Sequence, residues 1–526
     1  EAAAAFVAPP AASAPNLATS EYAVHRLLTQ ATFGPTQEEI ARVNSMGIEA
    51  WIDDQLDKPW SSHIDVWNPA ADPAYFENWW LELRNAYYER ALRGDDQLRQ
   101  RVAFALSEMF VVSIESGLID RPKGTSWYYD RLGEGAFGNF RDLLEDVTLS
   151  PAMGRYLNMV NNKKANPATG RVPNENYARE IVQLFSIGTV WLQPDGTPIL
   201  GEDGMPIETY DQPVVEGLAR VCTGWTFDWA SAAPFGSQNW KYVDLFEMVP
   251  RPQDHEPGDK LLLHNIVQPA NQGVRPDLDA MHDLIFEHPN VGPFVAKHLI
   301  QRLVTSNPSP AYVYRVASTF DDNGSGVRGD MKAVVRAILM DPEARNPLQV
   351  AGYGKLREPH LRWMALARTF GLTAPYPPDW YDTQFVGQAF LASPTVFNFF
   401  SPTFTKPGVL ADNGLVGPEF ELWGDSTSLN FANSIRWVLE GGVNSRKGGT
   451  VRFDVAELEP LADNPAALVD EVSRRLTGRV LPSAARNAVI SAVNGTSQGS
   501  GNWRVNRVRD AVHLITISPY AAVETY

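Results

Sequence analysis

The sequence predicts a mostly α fold: one large multi-helix domain with a few short β-hairpins, then a C-terminal helical subdomain. Three observations carry that expectation. Apolar residues recur at helical spacing along much of the chain, the mark of helices with one buried face. Capping residues precede several of these stretches and Gly or Pro closes them. β-Prone pieces are short and cluster around Pro194-Asp195-Gly196 and Asp203-Gly204, two turn signals of the hairpin kind.

Taken in order, residues 1–20 are rich in Ala, Pro and Ser, a composition that leaves a chain disordered or extended. Glu21 to Gln30 reads as a short helix carrying His25 and Arg26. Thr36 with Glu39 three residues on has capping-box spacing and opens a second helix that ends near Gly47. Glu49 to Leu56 continues helically, and Pro73 opens a long stretch to about Arg93 containing Tyr75, Trp79, Trp80, Tyr87 and Tyr88. Leu98 to Ser113 is apolar nearly all round from Val102 to Val112, so it belongs in the middle of the protein. Glu108 lies inside it; an isolated buried carboxylate is costly, so Glu108 is paired with an Arg, protonated, or reaches an edge. Arg141 to Leu149 is a further helix stopped at Ser150-Pro151, and Lys163 to Gly170 is a polar loop.

The stretch Val172 to Trp225 organises the centre. Asn174 or Asn176 caps a helix whose apolar face holds Tyr177, Ala178, Ile181, Val182, Leu184 and Phe185. Its other face holds Asn176, Arg179, Glu180 and Gln183, either an ordinary solvated face or the wall of a cleft. Asp211 caps the next helix, with Pro213 in its first turn, Val214, Leu218, Val221 and Cys222 as its stripe and Gly224 as its stop. Residues 225–263 have weak periodicity and many aromatics, and read as a long irregular segment with short strands; such loops are often functional.

From Asp277 the pattern is helical again. His298 shares a face with Phe294, Val295, Leu299 and Leu303. Met331 to Leu339 and Arg357 to Phe370 are further helices, whereas Ala374 to Asp382 and Ser393 to Gly408 are Pro/aromatic loops. Gly441-Gly442 and Gly448-Gly449 mark a flexible link. Helices at Pro465 to Leu476, Pro482 to Val493 and Val505 to Ile517 follow. The expected organisation is an N-terminal stretch 1–20, a main domain 21–440 and a subdomain 450–526.

NENYAREIVQLFSIG at 174–188 with YDQPVVEGLARVCTGW at 210–225 resembles the signature of a bacterial family known as domain-of-unknown-function family 1800. HRLLTQATFGPT at 25–36, LRQRVAFALSEMFVVS at 98–113, HEPGDKLLLHN at 255–265, KLREP at 355–359 and SPTVFNFFSP at 393–402 match in the same order, so the resemblance runs from about Tyr22 to the C-terminus. It implies a mostly helical bacterial protein, exported to the periplasm or beyond, with an exported sulfatase-like protein as a potential partner. Asn174 stands where the family often has Asp, and His298 where Gln is common.

Net charge is −17, which argues against a nucleic-acid binder and against docking on anionic lipid. A local basic pocket in an acidic protein still accommodates acidic partners. No run of about 18 apolar residues exists, so no membrane span is expected. The single cysteine, Cys222, permits no intramolecular disulfide and on its own suggests a reducing compartment; the resemblance points to export instead. No signal peptide is visible, and the Ala/Pro-rich start looks like that of an already processed chain.

His255-Glu256-Pro257-Gly258-Asp259-Lys260 is the densest run of catalysis-capable side chains. A loop His with acidic neighbours serves as general base, acid or metal ligand. The candidate catalytic set is therefore His255, Glu256 and Lys260, with Glu180 and Arg179 from the central helix. The run is not HExxH, so a divalent-metal site would need ligands from elsewhere: His25 and His298 with His255, or Glu180 and His288. Asp321, Asn323 and Ser325 occupy the first, third and fifth positions of an EF-hand-like calcium loop with Gly326 at the sixth, but Lys332 stands at the twelfth. No GxSxG, Walker, dinucleotide or CxxC motif appears, and Cys222 on an apolar stripe is expected to be buried rather than nucleophilic. The 15 tryptophans could stack on carbohydrate or simply fill the core. Two functional readings follow: an extracytoplasmic enzyme, hydrolytic or redox and metal-assisted, centred on His255, or a non-catalytic scaffold or binding protein that works with a partner.

Overall fold

The computed structural model describes residues 6–10, 13–67, 79–346, 352–374, 386–444, 449–499 and 501–524. The expected helix start at Pro73 with Tyr75, most of the loop 374–382, Gly448 and residues 1–5 and 11–12 lie outside them.

The fold is mostly α because the apolar stripes read from the sequence meet in one contiguous core, running from Val24 to Ile515. Helix α1 (Glu21–Ala31) is capped by Ser20, and α2 (Gln37–Met46) by Thr36, whose hydroxyl accepts the Glu39 N–H at 3.1 Å. The expected capping box is only half made, since the Glu39 carboxylate accepts instead from Trp51 Nε1 at 2.7 Å. After α3 (Ile48–Leu56) and α4 (Trp79–Arg93) comes α5 (Gln97–Ser107), shorter than its apolar run. The chain leaves the helix at Glu108, and the Phe110 carbonyl accepts from the Tyr128 hydroxyl at 2.5 Å rather than continuing a helical ladder. Tyr128 stands on α6 (Pro122–Gly135), followed by α7 (Phe140–Leu149) and α8 (Pro151–Tyr156), which turn at Ser150-Pro151. Residues 13–20 carry no helix or strand, and the Asn16 N–H donates to Asn346 Oδ1 at 2.8 Å.

In the centre, α9 (Asn176–Gln183) follows Asn174, whose Oδ1 accepts the Asn176 N–H at 2.9 Å. Between it and α10 (Gln212–Val221), single antiparallel bridges Val190–Glu208, Leu192–Pro198 and Leu200–Pro206 build the expected hairpin-like excursion. Asp211 caps α10 by accepting from the Val214 N–H. Four two-stranded antiparallel sheets are described. β1 (Trp225–Thr226) pairs with β2 (Val249–Pro250), and β3 (Lys260–Leu261) with β4 (Val267–Gln268). β5 (Lys355–Leu356) pairs with β8 (Val523–Glu524), and β6 (Val443–Asn444) with β7 (Thr450–Val451). β3 crosses α10 at Gly217, where a Cβ would lie 1.7 Å from the Leu261 carbonyl oxygen; only glycine permits that approach.

The irregular stretch after β1 contains α11 (Trp229–Ala232), and the helical second half runs α12 (Val274–Phe286), α13 (Val291–Leu303), α14 (Pro310–Asp321), α15 (Met331–Met340), α16 (Pro342–Arg345) and α17 (Pro359–Phe370). Near the C-terminus, helices Asp425–Glu440, Pro465–Thr477, Ser483–Asn494 and Trp503–Thr516 pack together. The first of these precedes the expected subdomain start at 450, and the β5–β8 pair ties the chain end back to the middle of the sequence. No helix among the described residues is long and apolar enough to cross a membrane.

Candidate functional site

The structure brings His255 and Lys260 together on a residue the sequence did not single out. His255 Nε2 lies 2.8 Å from Asp277 Oδ2, and Lys260 Nζ lies 2.7 Å from the same oxygen. His255 Nδ1 faces the Thr223 carbonyl oxygen at 2.7 Å, and Lys260 Nζ donates to the Gly258 carbonyl at 3.0 Å. All three side chains are buried. Gly224, at φ +79°, lets this cluster sit against the end of α10; a Cβ there would come within 2.7 Å of His255 Cβ. Asp277 falls in the first turn of α12 beside the buried Val274 and Leu278. A carboxylate amid an apolar face was the signal that could have found it.

The other members of that candidate set stand apart. Glu256 turns outward, its Oε2 accepting the Ala165 N–H at 3.2 Å. Arg179 donates to Glu175 Oε2 at 2.8 Å and to Gln212 Oε1 at 3.0 Å. Glu180 is buried, and burial raises its carboxyl above the ordinary range. The phenols of Tyr156 and Tyr210 beside it are pushed up to about 12 by burial.

The proposed metal ligands do not assemble. His25 Nε2 faces the Arg475 carbonyl at 3.2 Å, and His298 Nδ1 the Phe294 carbonyl at 3.0 Å. His288 stacks on His264 and meets Trp191 at a tilt, at 4.9 and 4.6 Å between ring centres. Among the described residues no three His, Cys, Asp or Glu side chains gather to hold a metal ion. In the calcium-loop candidate, protein groups already engage two of the three side chains. Asp321 pairs with Arg328, and Asn323 spends its amide on Asp330 at 2.7 Å and its Oδ1 on the Ser325 N–H at 2.9 Å. Cys222 is buried, as expected, and its thiol is pushed up to about 12 by burial.

Convergent ionisable groups lie elsewhere. A cavity of about 370 Å³ opens between the end of α9, the start of the hairpin excursion, α13 and the loop 396–403. Its polar lining is Glu108, Gln183, Lys297, His298, Gln301 and Arg302. Glu108 is 7% exposed, with Arg302 Nε at 3.7 Å and Asn398 Nδ2 at 3.5 Å. Behind it stands Glu358, fully buried, accepting from Gln388 Nε2 at 2.7 Å. Lys355 Nζ lies 4.0 Å from Glu358, pairs with Glu419, and donates to the Gln301 carbonyl at 2.9 Å. Arg101 Nη2 donates to the Arg302 carbonyl at 2.6 Å.

The two carboxyl groups are driven apart in acidity. Burial, and then the charge of Glu358, push Glu108 up to about 8. Burial also works against a charged Glu358, but Lys355, Arg101 and Arg302 outweigh it and its carboxyl falls below the ordinary range. At neutral pH one proton thus sits on Glu108, at the cavity wall, beside an ionised Glu358. Pairs of groups separated in this way are what acid–base sites are made of. The sequence had marked Glu108 as anomalous, and its partner lies in the KLREP word at 355–359; the 250 residues between them concealed the pairing.

The mostly α architecture and a cavity with the buried Glu108 carboxyl in its wall define the class this structure belongs to, a helical protein with a buried ionisable site. The chain belongs to the family described as "Protein of unknown function (DUF1800)", whose model matches residues 26–523. No curated protein and no solved structure matches the chain.

Proposed function

We propose that this protein is an exported enzyme that hydrolyses a small ligand held in the α9–α13 cavity, with Glu108 as the general acid. The observation that carries the reading is the buried Glu108 carboxyl at the wall of a ligand-sized cavity, 3.7 Å from Arg302, where burial and the charge of Glu358 raise its pKa. Glu108 gives its proton to the leaving atom of the scissile bond, and water supplies the hydroxyl to the other product. Arg302 faces the carboxylate so formed, and the water's remaining proton returns to it, favoured by the like charge of Glu358. This reading moves the reaction centre from His255, which we take as a buried clamp between the end of α10 and α12. Export is the part of this proposal that rests on family resemblance alone.

The test is a panel of chromogenic p-nitrophenyl esters, phosphates, sulfates and glycosides, with the chain and its Glu108→Gln variant. A general acid contributes about 10²–10⁴-fold. Turnover should fall by that factor in the variant with folding intact. Turnover unchanged in the variant, or none on the whole panel, contradicts the proposal.

A second reading, a scaffold for an exported sulfatase-like partner, is favoured by one surface. Leu200, Met205 and Ile207 stand 57%, 64% and 42% exposed on neighbouring rungs of the hairpin excursion. Exposed apolar side chains grouped in this way mark interaction surfaces. Co-purification lost on Leu200→Ser with Met205→Ser would support it.

A further inference from the structure

We infer that the ligand of the α9–α13 cavity is an organic anion, its charged group held by Lys297 and its apolar body lying between Leu184, Ile187, Val190, Phe294 and Val396. The inference deepens the reading of this cavity as the working site and rests on it for the assignment of the ligand as substrate.

The argument begins with charge. Lys297 lines the cavity and, among the described residues, its ammonium has no hydrogen bond or ion pair. Burial lowers its pKa, and no neighbouring carboxylate offsets that. A half-buried ammonium without a counter-ion is poorly stabilised. An anion entering the cavity supplies the missing partner, in a setting where water screens the attraction less than at an open surface.

The neighbouring groups agree in sign. Arg302 is one turn and a residue further along α13 and reaches the same cavity, its guanidinium 4.2 Å over the Phe400 ring. His298, between them in sequence, is pulled down to about 4 by burial first and then by the charges of Arg302 and Lys297. It therefore adds no charge at neutral pH, but its shift reports the positive surroundings. The acid that reaches this wall, Glu108, holds its proton and does not repel an anion. The ionised Glu358 is buried behind the wall among Lys355, Arg101 and Arg302. A cationic centre thus faces the cavity of a protein whose net charge is −17. A ligand with only an anionic group would leave the apolar side unfilled, and an apolar ligand alone would leave Lys297 unpaired. Phe397, 57% exposed, stands at the mouth, where it meets the apolar end of a bound molecule.

The experiment is isothermal titration of the full chain at pH 6.5 with hexanoate, hexanol and hexylamine, repeated on Lys297→Met and Glu108→Gln. Hexanoate should bind at least ten-fold more tightly than hexanol, and hexylamine should not bind. Lys297→Met should abolish the preference for hexanoate while its melting temperature stays level or rises, because the uncompensated charge is gone. Glu108→Gln should bind hexanoate as the unaltered chain does at pH 6.5, and should keep that affinity at pH 9, where the unaltered chain loses it. Hexanol or hexylamine binding as tightly as hexanoate, no binding by any of the three, or unchanged selectivity in Lys297→Met overturns the inference. Failure of the acid mechanism reads differently: hexanoate binds through Lys297, yet Glu108→Gln leaves turnover intact.

Discussion

At the scale of single residues, the chemistry of this protein is decided by burial against pairing. Glu108 and Glu358 share one environment, but Glu358 has Lys355, Arg101 and Arg302 around it, whereas Glu108 has Arg302 at 3.7 Å and the smaller influence of Arg101, with Glu358 itself opposing its charge. The proton therefore settles on Glu108. The cluster at His255 resolves the same conflict differently: Asp277 receives both His255 and Lys260, so each buried group is paired. His255→Ala removes one of the two partners of a buried carboxylate that keeps Lys260 at 2.7 Å, a loss of about 1–3 kcal/mol. We expect denaturant midpoints to report a loss of that size, with hexanoate binding at the α9–α13 cavity preserved in the folded fraction. A variant that melts like the unaltered chain and loses turnover would return the reaction centre to His255. The sequence pointed at HEPGDK for its density of functional groups, and density was a poor guide because the partner that absorbs them, Asp277, lies 22 residues away on another helix.

At the scale of elements, the helices were legible where local rules decide them. Asp211 and Thr36 cap as their spacing requires, and Pro151 and Pro213 stand where prolines start helices. Legibility failed where tertiary contacts overrule periodicity. The apolar run 98–113 promised one helix, but α5 ends at Ser107 because Phe110 and Tyr128 bind each other across elements. That early exit places Glu108 at a helix end, at the cavity wall. The crossing of β3 over α10 was equally hidden, since nothing in the local pattern marks Gly217 as a contact. Gly217→Ala would press a methyl group into the Leu261 carbonyl. Overpacking of this kind costs about 1–3 kcal/mol or more, and we expect thermal denaturation to show the variant destabilised by overpacking, while Gly204→Ala, on an exposed turn with open space, incurs only the left-handed backbone strain of an alanine at φ +77°.

At the scale of the whole molecule, one core unites what the sequence divided. The β5–β8 pair joins residues 355–356 to 523–524, next to Lys355 and Glu358, so the chain end buttresses the ionisable network behind the cavity. Helical periodicity predicted the mostly α class, whereas the site depends on contacts between α5, α13 and the start of α17 that no single stretch encodes. The protonation of Glu108 is also a property of the whole fold, because it couples stability to pH. Its folded-state pKa of about 8 lies above the ordinary 4.5. The native state therefore binds an extra proton between those values. The stabilisation it contributes is fully present below about pH 4.5 and is lost as pH rises towards 8. The most direct measurement is the urea midpoint of the unaltered chain and of Glu108→Gln from pH 5 to 9. The account predicts that the unaltered chain loses stability relative to Glu108→Gln across that range and levels off above pH 8. Parallel curves, or a relative gain with rising pH, would mean that Glu108 is ionised in the folded protein, and the acid assigned to this cavity would be lost with it.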